Sequence, residues 1–214
     1  MSDHHVDVDT PETPIWSVRG FAAHVLTVTI GFLIALGLNS LVDLYQQHKI
    51  AAQARNYFQL EIAENRALVT KDLQNGEEAR KTFVALIDYL QKRKAGQHPQ
   101  LGGNFHIATA SIVLSRAAWD TGLASQALTY MPFAQTASLA RLYATQTEFA
   151  QVESDALRAS FEMSSFGDPD AFSDAQIPQT LKTLQTSYAY QTSVLQIEHR
   201  LVGQYDETSQ LLIH

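Results

Sequence analysis

Cysteine is absent from the 214 residues, which excludes disulfides, thiol nucleophiles and thiolate metal sites and leaves the redox compartment unreadable. Positive charge is scarce: 15 Lys and Arg stand against 22 Asp and Glu, a formal net charge of −7. No basic surface therefore recommends nucleic acid as a partner. Lys and Arg concentrate between Lys49 and Lys94, and after Leu101 only Arg116, Arg141, Arg158, Lys182 and Arg200 remain. Proline is missing from Asp43 until Pro99. Strand signatures are missing too: there is no sustained alternation of period two and no Asn-Gly hairpin between β-branched runs.

What is present begins with a run free of Lys, Arg, Asp and Glu, from Gly20 to Val42, GFAAHVLTVTIGFLIALGLNSLV. At about 1.5 Å of rise per residue it can cross roughly 30 Å of hydrocarbon as one helix. Its Leu, Ile, Val and Phe favour insertion by several kcal/mol, at about 0.3 to 0.6 kcal/mol each. His24, Asn39 and Ser40 lie toward the ends, and Arg19 and Asp43 bracket the run. Two other readings fit such a run. One is a buried core helix of a soluble protein. The other is a signal peptide with an apolar Val25–Ile34 region, cleaved after Ala35-Leu36-Gly37. The acidic leader MSDHHVDVDTPETPIWSVR is a poor n-region, so an uncleaved anchor is the expectation. No second run follows, giving a single-pass protein in contact with the lipid bilayer.

Within the anchor, Ala23, Thr27, Gly31, Ala35 and Asn39 recur at every fourth position. Small or hydrogen-bonding residues on one face let two membrane helices approach closely. The expectation is a self-association face and a homo-oligomer; the bland account is that such residues are simply common in membrane helices.

The rest reads as an all-α fold: an antiparallel long-helix bundle with coiled-coil-like packing. The boundaries are 1–19 for a disordered acidic leader, 20–42 for the membrane helix and 43–214 for the bundle. Ala51, Ala54, Phe58, Ile62, Val69 and Leu73 form one apolar stripe across Asn65. Asn75-Gly76 is expected to turn or kink the helix. Ala79, Phe83, Leu86, Ile87 and Leu90 form a second stripe, ended by Lys92-Arg93-Lys94, where the macrodipole favours cations. Gly96 and QHPQLGGNFH make the clearest loop. IATASIVLSRAAWDTGLASQAL reads as one or two short helices with Gly122 as a break. Pro132 opens a helix through about Phe161, with Leu139, Leu142, Phe149 and Val152 on its stripe. After the loop SSFGDPDAFSDAQ, Pro178 opens the last helix, carrying Leu181, Leu184, Tyr188, Val194, Ile197 and Leu201.

The anchor VTIGFLIALGLNSLVD, followed by LEIAENRALV, resembles a broad group of bacterial single-pass proteins of unknown function. There an Ile-Gly-x-x-Ile-Ala-Leu membrane helix ends at Asn and runs into a helix with Glu-x-x-x-Asn spacing. The matching positions are Ile30, Gly31, Ile34, Ala35, Leu36, Asn39, Glu61 and Asn65. AAWDTGLASQALTYMP is similar to the small-residue middle helix of that group, and the likeness spans about residues 20–135. Two features depart from it: Ser40 stands where Trp often follows the Asn, and the leader is acidic rather than basic. The resemblance implies the architecture and a place at the bacterial envelope, and brings no activity. For orientation, Lys49 and Arg55 against Arg19 favour a cytoplasmic bundle. A short leader commonly stays inside, and the resemblance points the same way. The expectation is the inner (cytoplasmic) membrane with a periplasmic soluble domain and an envelope protein as a candidate partner.

Catalytic patterns are weak, so no catalytic, cofactor or metal residue is assigned. Leu101-Gly102-Gly103-Asn104 is too short for a phosphate loop and lacks its Lys-Ser/Thr. His4-His5 with Asp3, Asp7 and Asp9 sits in the leader. Glu61 and Glu64 share a helix face and read as solvated or paired with Arg55 or Arg66. Glu198-His199-Arg200 are adjacent and diverge; Ser115 and Ser125 lack a nucleophile elbow. Phe105-His106 reads as a loop anchor. Trp119, Asp120 and Tyr130 are the most distinctive soluble residues, either walls and a polar group of a pocket or a core Trp with a capping Asp. Two functions survive. One is a membrane-anchored interaction or scaffold module, without enzymatic activity. The alternative is a membrane-bound ligand sensor or enzyme with a pocket in the bundle near Trp119.

Overall fold

The computed structural model describes residues 18–100, 111–164 and 173–213. Its elements are α1 (Val18–Lys94), α2 (Ala117–Ala124), a 3-10 turn (Ala127–Tyr130), α3 (Phe133–Ser164) and α4 (Ile177–Ile213). All regular structure among the described residues is helical, so the chain is all-α. The leader with its His4-His5 group, the Leu101–Asn104 stretch and Phe105-His106 lie outside the described residues. The chain divides into two units, Met1–Lys49 and Ile50–His214.

In the first unit the apolar side chains are exposed, with Leu26, Phe32 and Leu41 each more than 60 % accessible. Four polar side chains bond within the helix. Thr27 Oγ1 donates to the Ala23 carbonyl at 2.9 Å, Thr29 Oγ1 to Val25 at 2.8 Å and Ser40 Oγ to Leu36 at 3.0 Å. Asn39 Nδ2 donates to Asp43 Oδ2 at 3.2 Å. A helix that satisfies its own hydroxyls and shows hydrocarbon outward meets the requirement for a bilayer span. One helix here is long and apolar enough to cross a membrane.

The second unit is built on α3 and α4, which run antiparallel. Ser138 and Thr208 hydroxyls meet at 2.8 Å, Arg200 Nη1 donates to Glu148 at 2.8 Å, and Ser187 Oγ donates to the Ala159 carbonyl at 3.5 Å. The α1 residues past Ile50 are antiparallel to α4, since Arg66 pairs with Asp206 at 2.7 Å and Gly76 lies against Leu195. It follows that they run parallel to α3, with Glu61 level with Tyr143. The expected stripes fill the interior. Ala51, Phe58, Ile62 and Val69 join Leu139, Leu142, Phe149, Ile197 and Leu201 in one cluster, and Phe83, Leu86 and Leu90 join Ile177, Leu181 and Leu184 in another.

Two expected breaks prove to be contacts. Gly76 does not turn the chain: α1 continues through it. A Cβ there would stand 2.8 Å from Leu195 Cδ2 and 2.9 Å from Gln191 Nε2, so the missing side chain lets α4 approach. Gly122 likewise stays helical, and its Cβ would meet the Phe58 ring at 3.0 Å. The actual break falls at Gln126, whose φ of 57° is left-handed. Gly96, at φ 77°, ends α1 as expected. Gln97 N–H donates to the Lys92 carbonyl at 3.0 Å and Gly96 N–H to Arg93 at 2.9 Å, the two bonds of a Schellman cap.

Candidate functional site

Two polar assemblies interrupt the apolar interior. The first grows from Glu61 and Asn65, one turn apart on α1 and both buried. They hold the irregular segment 111–116 as it descends toward α2. Asn65 Nδ2 donates to the Ser115 carbonyl at 2.8 Å, and Ser115 N–H donates back to Asn65 Oδ1 at 2.9 Å. A primary amide has the geometry to satisfy both backbone groups of one residue at once. Glu61 Oε2 accepts Ser115 Oγ at 2.6 Å and the Ala118 N–H at 2.9 Å, while Glu61 Oε1 accepts Tyr143 Oη at 2.5 Å. Arg116, at the N-cap of α2, makes no side-chain cap. Glu61 therefore supplies from α1 the acceptor that this helix start lacks.

This corrects the reading of Glu61 as a solvated or paired surface carboxylate. Glu64 is exposed as expected, and Arg66 bonds Asp206 instead. Burial, reinforced by the bond to Glu61, raises the Tyr143 pKa well above that of an ordinary phenol. Tyr205, which accepts Gln146 Nε2 at 2.8 Å, is pushed up to about 12, chiefly by burial.

Trp119 stacks on Tyr143 with centroids 5.0 Å apart and planes at 24°. Asp120 is exposed in the first turn of α2, and Tyr130 is 40 % exposed at the end of the 3-10 turn. Ser115 belongs to the Asn65 clamp, and Ser125 Oγ donates to the Thr121 carbonyl at 2.7 Å. Hollows of about 230 and 440 Å³ lie elsewhere, both bordered by Lys182 and Thr186 of α4.

The second assembly joins three carboxyl groups from three helices: Asp72 of α1, Glu153 of α3 and Glu198 of α4. Glu198 is 1 % exposed, no N–H or O–H of another residue type reaches its oxygens, and the Asp72 carboxyl is close enough to share a proton with it. Burial, then neighbouring Asp72 and then Glu153, push its pKa up to about 9. Burial also raises Asp72 and Glu153, the latter partly relieved by the Ile112 N–H donated to Glu153 Oε1 at 2.8 Å. Two carboxylates side by side away from water are too costly to ionise together, so the environment favours a proton on the Asp72–Glu198 pair, chiefly at the more deeply buried Glu198. Among the described residues no group of three acidic or His side chains is arranged to hold a metal ion.

No family model, curated protein or solved structure matches this chain. The adjacent Glu198, His199 and Arg200 diverge as expected, the first buried and the latter two exposed. Sequence reasoning misses Asp72 and Glu153. The available signal was a carboxylate on the apolar stripe of α4, one turn after Val194. For the clamp, the signal was Asn65 standing where the α1 stripe required an apolar residue.

Proposed function

We propose that this protein is a membrane-anchored helical module that works by association rather than by turning over a substrate. Gly20–Val42 would span the inner membrane of a bacterial envelope and carry a periplasmic helical domain. The observation that carries this reading is the outward display of hydrocarbon along the whole run, together with hydroxyls bonded to their own helix. A core helix of a soluble protein would bury that surface.

Self-association through Ala23, Thr27, Gly31, Ala35 and Asn39 fits the same picture. Gly31 meets nothing within 4 Å, so its face is open to another helix. The alternative, a sensor or enzyme with a pocket near Trp119, draws less support. Tyr143 covers one face of the indole, and Glu61 is already engaged by three donors.

Topology tests the proposal. Cells expressing a C-terminally tagged chain are fractionated and their spheroplasts treated with protease. Full-length protein in the membrane fraction, digested from outside, is the expected result. Protection in spheroplasts would reverse the orientation, and a shortened soluble band would remove the anchor.

A further inference from the structure

The helical unit beginning at Ile50 has one end that combines exposed apolar side chains with two charge-free segments. Glu61 and Tyr143 are bonded, and α1 and α3 run parallel at that level. Ala51 precedes Glu61 and Phe133 precedes Tyr143 by the same ten residues, about 15 Å of helix, so both stand at the same end. The C-terminus of α4 arrives there as well, because Gln135 Nε2 donates to the Leu211 carbonyl at 2.8 Å. Three apolar side chains project from this end: Phe133 at 87 % exposure, Ile213 at 69 % and Tyr130 at 40 %. Two of the segments that build it carry no Asp, Glu, Lys or Arg, from Thr121 to Ala140 and from Thr208 to Ile213, while α1 carries Lys49 and Arg55 on either side of Ala51. Elsewhere on the unit, ion pairs such as Arg80–Glu77, Lys81–Glu78 and Arg200–Glu148 mark an ordinary solvated surface.

We infer that this tip, with Phe133, Tyr130 and Ile213 at its crown, docks on the lipid surface of the membrane that holds the anchor. The inference rests on the anchorage proposed above. Chain length favours lipid over other occupants. The link from Val42 to Ile50 reaches at most about 28 Å even fully extended. The end of the unit at which the chain enters therefore stays within about 28 Å of Val42 along the chain. Phe and Tyr partition into the headgroup and acyl boundary, where an aromatic ring keeps its apolar body buried and a phenol stays wet. A short tether to an inserted helix raises the effective concentration of the tip at the lipid surface. The tip therefore needs little affinity of its own to stay docked.

The absence of cysteine makes the test direct. Single variants Phe133→Cys, Ile213→Cys, Gln185→Cys and Leu33→Cys of the full chain are labelled with an environment-sensitive fluorophore and reconstituted in phosphatidylcholine vesicles. Quenching is compared between nitroxide-bearing lipids and aqueous iodide. Leu33 reports anchorage. Gln185 is exposed on α4, roughly 40 Å along the helix from Ile213, and reports the far end. The expected result is lipid quenching and a blue-shifted emission at 33, 133 and 213, with iodide quenching at 185. Introducing Phe133→Asp should then expose the 213 probe to iodide while leaving the melting temperature in detergent unchanged. If 33 is quenched by lipid but 133 and 213 by iodide, the tip inference is overturned and anchorage stands. If 133 and 213 are shielded from both quenchers, protein covers the tip and the lipid assignment is overturned. Loss of lipid quenching at 33 overturns the anchorage reading and the inference resting on it.

Discussion

Replacing Glu198 by Gln should change how stability depends on pH. Its folded pKa of about 9 lies well above the ordinary value of 4.5 for an unfolded glutamate. Below the unfolded value both states hold the proton, and the group's contribution to stability is fully present. Between the two values only the folded state holds it, so each pH unit lowers stability by about 1.4 kcal/mol. From pH 5 to pH 8 the loss from this one residue comes to about 4 kcal/mol. At roughly 2–4 °C per kcal/mol for a domain of this size, the melting temperature falls by about 8–16 °C. Gln keeps the shape of a protonated Glu and cannot ionise, so Glu198→Gln should remove most of that fall and be the more stable protein at pH 8. Asp72 and Glu153 are also raised and leave a shallower slope of the same sign. The assay is thermal unfolding of the full chain in detergent, followed by far-UV circular dichroism at a series of pH values. Parallel profiles for the two proteins across pH 5–8 would refute the reasoning, because the proton would then not reside on Glu198.

Two further outcomes can be stated. Asn65→Ala removes both bonds that pin Ser115 and opens a gap in the core. Destabilisation of about 2–4 kcal/mol is expected, measured by urea unfolding. An effect below about 0.5 kcal/mol would mean that the clamp is made equally well by water. Gly31→Leu with Ala35→Leu should lower oligomer yield in detergent cross-linking without altering the melting temperature, since Gly31 meets nothing within 4 Å of its own chain. An unchanged oligomer would remove the small-residue face from the proposal.

Much of the helical framework is legible because its signals are short-range. Pro132 lies just before α3 and Pro178 in the first turn of α4, where proline costs no helical bond. Gly96 adopts the left-handed conformation that a helix end requires. The apolar stripes of α1, α3 and α4 became the interior, because periodicity alone fixes which face must leave water. The errors share one cause. Gly76 and Gly122 carry the residue type of a break, yet each is where another element comes closest. Nothing near them in sequence distinguishes a turn from a close approach.

The sequence by itself determined that this chain has one charge-free run able to cross a bilayer, a helical body and no thiol chemistry. Each follows from composition or from residues within a few turns of one another. The tertiary structure decided which polar residues are buried and what they do there. Glu61 became the cap of α2 through residues 54 to 82 positions away, Ser115, Ala118 and Tyr143. Glu198 became an acid that favours its proton because α1 and α3 bring Asp72 and Glu153 beside it and the surrounding helices bury it. A side chain's chemistry depends on its solvent and its nearest charges, and in a bundle both are supplied by helices far away along the chain.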